Sequence, residues 1–341
     1  MEIDPDMVSL VIGAMLDPVV VLDDADRVVA FNSPARSIYP ALARGEALVR
    51  IIRSPVVLDA VAAVRASGQA QNVSLLERLP VERLFDVHAG PIRDGVRLFV
   101  ALTLHDLTEA RRVEQMRVDF VANASHELRT PLASLLGFVE TLQGPARDDE
   151  KARGRFLDIM REQARRMARL VDDLLSLSRI EQNQHVRPET PVDLAAIVRG
   201  VNDTLGPSAR DEGIELAIDA PAPAMLRGDR DELIRVAENL VENALKYGAD
   251  AERKRVDVKV VGSGPDIVLS VRDYGRGIAQ EHLPRLTERF YRVDAGQSRA
   301  RGGTGLGLAI VKHIVMRHRG RLRIESRPGE GALFEVSFPA L

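Results

Sequence analysis

Phe120-Val-Ala-Asn-Ala-Ser-His-Glu-Leu-Arg-Thr-Pro-Leu132 lies in a longer stretch, from about Glu109 to Leu142, whose apolar residues recur every three or four positions. Met116, Phe120, Ala124, Leu128, Leu132, Leu135, Val139 and Leu142 mark the buried stripe of one long helix. At about 100° per residue, His126 stands roughly 200° from Ala124 and Leu128, so its ring is expected to face solvent. An exposed neutral imidazole keeps a lone pair for attack on an electrophile such as phosphorus. Glu127 can accept the proton on the other ring nitrogen. Pro131 removes the helical hydrogen bond to the Glu127 carbonyl and predicts a bend just after the histidine. A lone histidine on such a helix reads first as a surface residue beside an accidental proline.

Past the breaker Gly144-Pro145, a second run places Phe156, Met160, Gln163, Met167, Leu170, Leu174 and Leu177 at alternating spacings of four and three, as in a coiled-coil seam. Two helices joined by a short loop form a hairpin that buries too little by itself. Two chains are therefore expected to pair their hairpins into a dimeric four-helix bundle.

Upstream, Pro18-Val-Val-Val-Leu-Asp-Asp-Ala-Asp-Arg-Val-Val-Ala-Phe31 reads as a β-hairpin around an acidic turn. A second pair is expected from Arg83 to Gly90 and from Arg97 to Leu104, with its turn at Pro91-Ile-Arg-Asp-Gly95. Together with short helical patterns these predict a small α+β domain ending at His105-Asp106-Leu107-Thr108.

Downstream, strand runs (Ile214 to Ile218, Val256 to Val261, Ile267 to Asp273, Arg321 to Glu325, Leu333 to Phe338) alternate with helical runs (Leu194 to Leu205, Asp231 to Tyr247, Gly307 to His318). The expectation is an α/β sandwich with mixed strand pairing. Four motifs in it carry chemistry. Glu238-Asn-Leu-Val-Glu-Asn-Ala-Leu-Lys-Tyr247 puts Asn239, Asn243 and Lys246 or Tyr247 on one helical face; amide oxygens can hold a hard cation and a lysine can neutralise phosphate, although an ordinary surface helix shows the same spacing. Arg272-Asp-Tyr-Gly-Arg-Gly-Ile278 ends a strand with a carboxylate, Asp273, beside Gly275, Gly277 and Ile278, where backbone can approach a base. Leu286-Thr-Glu-Arg-Phe-Tyr-Arg-Val-Asp294 follows. Gly302-Gly-Thr-Gly-Leu-Gly-Leu-Ala-Ile-Val-Lys312 opens a helix whose amides can cradle phosphates. A dinucleotide fingerprint fails there: its third glycine falls on Leu308, and Gln297-Ser-Arg-Ala-Arg301 is no strand.

Ser125-His126-Glu127-Leu128-Arg129-Thr130-Pro131-Leu132 resembles the H box of sensor histidine kinases of two-component systems, and the other four motifs resemble that family's nucleotide-site boxes in the same order. The resemblance spans about residues 109 to 341, and its wording is most similar to the phosphate-regulon sensor kinases. It implies a multidomain α+β chain: a PAS-like sensor domain (1–107), a helical dimerisation and phosphotransfer domain (108–187), and an ATP-binding α/β sandwich of the histidine kinase, Hsp90 and gyrase type (188–341). It implies His126 as phosphoacceptor, Glu127 as general base, Thr130 as the residue positioning water in regulator dephosphorylation, Phe290 as lid anchor, and Arg292 reaching the γ-phosphate. ATP would lie among Asn239, Asn243, Lys246, Tyr247, Asp273, Gly275, Gly277, Ile278, Gly303, Thr304, Gly305, Leu306 and Gly307, with Mg²⁺ on Asn243 and Asn239. The implied partners are a second copy of the chain and the receiver domain of a response regulator.

Composition restricts the alternatives. A net charge of -3 over 341 residues leaves no field that would attract nucleic acid. The absence of cysteine excludes disulfides, thiolate zinc sites and cysteine nucleophiles, and fits a reducing compartment. Glu2, Asp4 and Asp6 stand where a signal peptide would be basic, and the apolar run Leu10 to Leu16 is far short of the roughly 20 residues of a membrane span. The expectation is a cytoplasmic protein, or the cytoplasmic part of an inner-membrane protein whose anchor lies upstream. Two rivals stand beside the kinase reading: an ATPase of the gyrase and Hsp90 group, which carries glutamate where this chain has Asn239 and lacks the H box, and a scaffold or phosphatase-dominated protein acting through Glu127 and Thr130.

Overall fold

The computed structural model describes residues 5–78, 82–248, 253–294 and 303–341. Gln297–Arg301 and Gly302, part of the glycine-rich reading above, lie outside the described residues. The chain divides into two compact units, Met1–Asp119 and Phe120–Leu341.

The first unit begins with α1 (Pro5–Gly13), β1 (Val19–Leu22) and β2 (Val28–Phe31), then α2 (Ser33–Ile38), α3 (Leu48–Ile51) and α4 (Pro55–Ser67), then β3 (Gln71–Glu77), β4 (Arg83–Asp94) and β5 (Arg97–Asp106). The strands form one sheet in the order β2-β1-β5-β4-β3, antiparallel throughout. This is a small α+β arrangement, as the strand runs predict. The second hairpin departs from expectation: β4 continues through Pro91-Ile-Arg, pairing Pro91 with Val100 and Asp94 with Arg97, so the reversal is confined to Gly95-Val96. Pro91 is tolerated because pairing to β3 has already ended at Ala89, which leaves its missing N–H on an unpaired side.

Two long helices follow. α5 (Thr108–Gln143) runs unbroken through Pro131, and α6 (Glu150–Gln182) starts at Asp149, whose carboxylate caps the Ala152 amide at 2.9 Å. The stripe on α5 is only part-covered: Phe120, Ala124, Leu128, Leu135 and Val139 are half-buried, while Met116 and Leu132 remain exposed. On α6, Leu170 and Leu177 were expected in a hairpin seam. Both are buried, with Ile180, in the same core as the α/β domain.

That domain contains β6 (Pro191–Asp193), α7 (Leu194–Asp211), β7 (Glu215–Asp219), β8 (Met225–Arg227), α8 (Arg230–Gly248), β9 (Arg255–Ser263), β10 (Asp266–Asp273), a 3-10 helix (Gln280–Arg285), α9 (Gly307–Arg317), β11 (Arg321–Ser326) and β12 (Ala332–Pro339). Its main sheet has the order β11-β12-β10-β9-β7; only β7 and β9 run parallel. β12 alternates strictly between buried and half-buried residues, as a strand does when one face is packed. Leu233, Val236, Leu240 and Val241 of α8 and Ile310, Val311 and Ile314 of α9 supply helical faces of the core. No helix among the described residues is long and apolar enough to cross a membrane.

Candidate nucleotide and phosphotransfer site

A cavity of about 640 Å³ opens between α6, α8, the end of β10 and the turn entering α9, within the range of small-molecule sites. Asn239, Asn243, Lys246, Tyr247, Asp273, Gly277, Ile278, Arg292, Gly303, Thr304, Gly305 and Gly307 all line it. Sequence positions 30 to 70 residues apart thus meet because β10 delivers Asp273 to the same end of the sheet at which α9 begins.

Asp273 is buried, and its Oδ1 accepts the Gly275 amide at 2.9 Å. Burial pushes its carboxyl up, partly offset by the Gly275 and Ala332 amides. Gly277 has φ +70°, and a Cβ there would stand 1.9 Å from the Arg327 carbonyl, so no other residue fits. Gly275 does not line the cavity; it packs against the Tyr247 carbonyl, which a Cβ would meet at 2.3 Å. The Ile278 amide donates to Ser326 Oγ at 2.8 Å, tying the turn to β11.

On α8, Asn239 Nδ2 donates to the Arg235 carbonyl at 2.8 Å, and its Oδ1 lies where a Cβ on Gly307 would fall within 2.4 Å. The amide oxygen therefore sits at the N-terminus of α9, beside the region expected for phosphates. Lys246 pairs with Glu242 at 3.0 Å. Glu238 also lines the cavity; burial, then Glu242, pushes its carboxyl up. Uncharged amide oxygens of this kind suit a Mg²⁺ held mainly by phosphate, and no group of three or more His, Cys, Asp or Glu able to hold a metal occurs among the described residues.

Within the glycine-rich turn, the Leu306 side chain is fully buried in the core, and its amide donates to Thr304 Oγ1 at 3.3 Å. Thr304 in turn donates to Asp173 Oδ2 on α6 at 2.8 Å. Phe290 adopts φ +64°, unusual for a bulky residue; its amide donates to the Gly305 carbonyl at 2.8 Å, and its ring meets Phe120 at 5.9 Å.

His126 is exposed and stands outside the cavity lining. Thr130 is exposed beside it, its hydroxyl donating to the His126 carbonyl at 3.2 Å. Glu127 points the other way: Oε2 accepts Arg292 at 3.0 Å and Arg166 at 3.1 Å. Arg292 also donates to the Gly303 carbonyl at 2.8 Å. Sequence reasoning missed Arg166, Asp173 and Arg235. The last shows a signal, since it precedes Asn239 and Asn243 at four-residue steps on one helical face; the first two read as charged positions on an exposed helix.

Helical hairpin, α/β sandwich and nucleotide-sized cavity together define a two-component sensor kinase architecture, and the chain belongs to the sensor histidine kinases. Residues 116–183 match the His Kinase A (phospho-acceptor) domain, and residues 228–341 match the histidine kinase-, DNA gyrase B-, and HSP90-like ATPase family. The chain is 41% identical over 259 residues to the phosphate regulon sensor protein PhoR of Pseudomonas aeruginosa, across 73% of this chain and 58% of that protein. It is 38% identical over 254 residues to the sensor-like histidine kinase SenX3 of Mycobacterium tuberculosis, across 74% of this chain and 61% of that one. It thus spans about three-fifths of these relatives. The solved complex of the histidine kinase ThkA with the response regulator TrrA shares its fold over 98% of both chains, at TM-score 0.50 and 19% identity.

Proposed function

We propose that this chain is an ATP-dependent protein histidine kinase that phosphorylates itself on His126 and passes the phosphoryl group to an aspartate on a response-regulator receiver domain. The observation that carries it is one compact unit holding both an exposed histidine on a long helix and a cavity lined by Asn239, Asn243, Lys246, Asp273 and the Gly303–Gly307 turn. The division into a sensor domain (1–107), a dimerisation and phosphotransfer domain (108–187) and an ATP-binding domain (188–341) belongs to the same reading. So does a homodimer, supported by the part-covered stripe on α5, and a cytoplasmic location. Its kinship with PhoR makes phosphate limitation the first signal to test.

In the reaction, Asp273 accepts the adenine amino hydrogens and Tyr247 stacks beside the base. Lys246 and the α9 amides neutralise phosphate charge, and Asn239 and Asn243 would hold Mg²⁺, which supplies further neutralisation. One ring nitrogen of His126 forms a bond to the γ-phosphorus as the bond to the bridging oxygen breaks. ADP leaves with that electron pair, and the proton on the other nitrogen passes to Glu127. Phosphoryl transfer depends mainly on positioning and charge, which these groups provide. Because His126 lies outside the cavity, the ATP domain must swing about the segment 183–190 before transfer.

Exposed Thr130 next to His126 favours a second activity, in which Thr130 and Glu127 orient water for dephosphorylation of the regulator. Incubation with γ-labelled ATP and Mg²⁺ tests the main reading. Acid-labile, alkali-stable label is expected on the wild type and absent from His126→Ala, with ATP binding retained; label on the variant would sink it.

A further inference from the structure

The segment that leaves α6 is gripped from far along the chain. Residues 183–190 join α6 to β6 through turns and irregular backbone. Arg317, in the last turn of α9, donates from Nε to the carbonyls of Asn183 at 3.2 Å and Val186 at 3.0 Å. Its Nη1 donates to a carboxylate oxygen of Glu232 on α8. The Arg317 side chain is only 12% exposed and that of Glu232 15%, whereas Asn183 and Val186 are exposed. A buried guanidinium thus reaches outward to hold surface backbone, which its rigid planar fork suits. The far end of the segment is tied as well: Arg227 Nη1 donates to the Glu189 carbonyl at 3.3 Å and the Gly228 amide to that of Thr190 at 2.8 Å. Inside the segment, Arg187 has a buried Nε with no hydrogen-bond partner. An unsatisfied buried donor opposes the arrangement that buries it, so these residues are held here by Arg317 rather than by their own side chains.

We propose that Arg317 is a clamp on the hinge: a positioning residue that fixes residues 183–186 against the ATP-binding domain and so sets how readily that domain leaves the helical hairpin to carry nucleotide to His126. This rests on the proposed autophosphorylation of His126. A hinge works by absorbing φ/ψ changes in a few residues between elements. Bonds from one fixed guanidinium to two carbonyls of such a segment resist those changes. Arg317 is fixed because Ile310, Val311 and Ile314 root α9 in the domain core. The same helix begins at Gly307 on the nucleotide cavity, so the clamp travels with the nucleotide site and not with the hairpin. Leu233, Val236 and Leu240 place α8 in that core too. The Arg317–Glu232 pair therefore survives the swing, and the two carbonyl bonds are the part that must break.

The test compares Arg317→Lys and Glu232→Gln with the wild type in the full chain. It measures the rate of phosphohistidine formation at saturating ATP and Mg²⁺ and the hydrogen exchange of the amides at 183–187, with thermal melting as the check of folding. Lysine keeps a charge for Glu232, but a single ammonium cannot reproduce the fork. Losing hydrogen bonds from a charged donor shifts the resting population, so the maximal rate of Arg317→Lys is expected to rise about threefold to tenfold. Exchange at 183–187 speeds up with it. Glu232→Gln keeps an oxygen for Arg317 and leaves the carbonyl bonds in place, so its rate and its exchange stay at the wild-type level. A rate for Arg317→Lys at or below that of the wild type, unchanged exchange in it, or an equal rise in Glu232→Gln overturns the proposal; the last would make the ion pair the restraint. Should Arg317→Lys fail to fold, the double variant Arg317→Met with Glu232→Gln, which removes both charges together, carries the same expectation and the same refutation. Absence of phosphohistidine on the wild type would instead overturn the kinase reading, while the exchange measurement would still decide whether Arg317 holds the hinge.

Discussion

Thr304 donates its hydroxyl hydrogen bond to Asp173 Oδ2 at 2.8 Å while Arg235 donates to Asp173 Oδ1 at 2.8 Å, so one carboxylate on α6 ties both the lid and α8 to the phosphotransfer hairpin. In the transfer proposed above His126 has to reach the nucleotide, so on that reading these bonds hold a resting arrangement that the reaction breaks.

Asp173→Ala is therefore expected to speed autophosphorylation. Charge-assisted hydrogen bonds contribute about 1.5–3 kcal/mol, and lifting even about 1.4 kcal/mol from the resting state raises the competent population up to tenfold. Initial rates of phosphohistidine formation at saturating ATP measure this. A rate at or below that of the wild type would mean that Asp173 does not restrain the lid.

At the other end of the cavity, Asp273→Asn tests the adenine contact. The substitution keeps the shape but turns a charged acceptor into an amide that also donates, beside the Gly275 amide at 2.9 Å. Affinity for ATP is expected to fall roughly tenfold to hundredfold, as for loss of a hydrogen bond to a charged group. Titration calorimetry reads it directly, and unchanged affinity would remove Asp273 from the adenine site.

The same two residues show what a sequence can and cannot reveal. Asp273 was legible because a carboxylate followed by two glycines at the end of an apolar strand needs a close approach of backbone. Asp173 was not, because its role exists only where α6 meets α8 and the lid, and locally it is one more charge on a helix rich in charge. Pro91 misled for a related reason: proline signals a turn until one knows that the neighbouring strand has already ended. β3 escaped notice since Gln71, Asn72 and Ser74 carry little strand signal and are held by pairing to β4.

Gly277 offers a stability test separate from chemistry. With φ +70° and the Arg327 carbonyl 1.9 Å from the site of a Cβ, Gly277→Ala must shift backbone on both sides. The expected cost is about 2–4 kcal/mol, combining an unfavourable conformation with a steric clash. Gly264, also at positive φ (+61°) but with nothing within 4 Å of its Cβ position, serves as the control; its alanine variant should lose only about 1 kcal/mol. Urea unfolding of the two variants, if equal, would show that the Arg327 contact yields at little cost.

His318 makes stability depend on pH. Its ring is almost fully buried at the end of α9, Nε2 accepting the Asp229 amide at 3.0 Å and Nδ1 donating to the Ile314 carbonyl at 2.8 Å, which fixes the neutral form. Burial holds its pKa below the ordinary value; the Ile314 carbonyl and Asp229 oppose this, Arg317 and Arg187 reinforce it, and Glu232 Oε2 lies 3.8 Å from Nδ1. In the unfolded chain the imidazole takes up a proton near pH 6.5. Below that pH the unfolded state binds more protons than the folded one, so stability is complete above about pH 6.5 and falls with acidification, by at most about 1.4 kcal/mol per pH unit for this group. His313, likewise depressed by burial, adds a loss of the same sign. His318→Gln should be less stable than the wild type at pH 7.5, because it cannot reproduce both bonds, yet lose less on going to pH 5. Thermal melts across that interval decide the matter: parallel curves for wild type and variant would show that His318 does not take up its proton on unfolding.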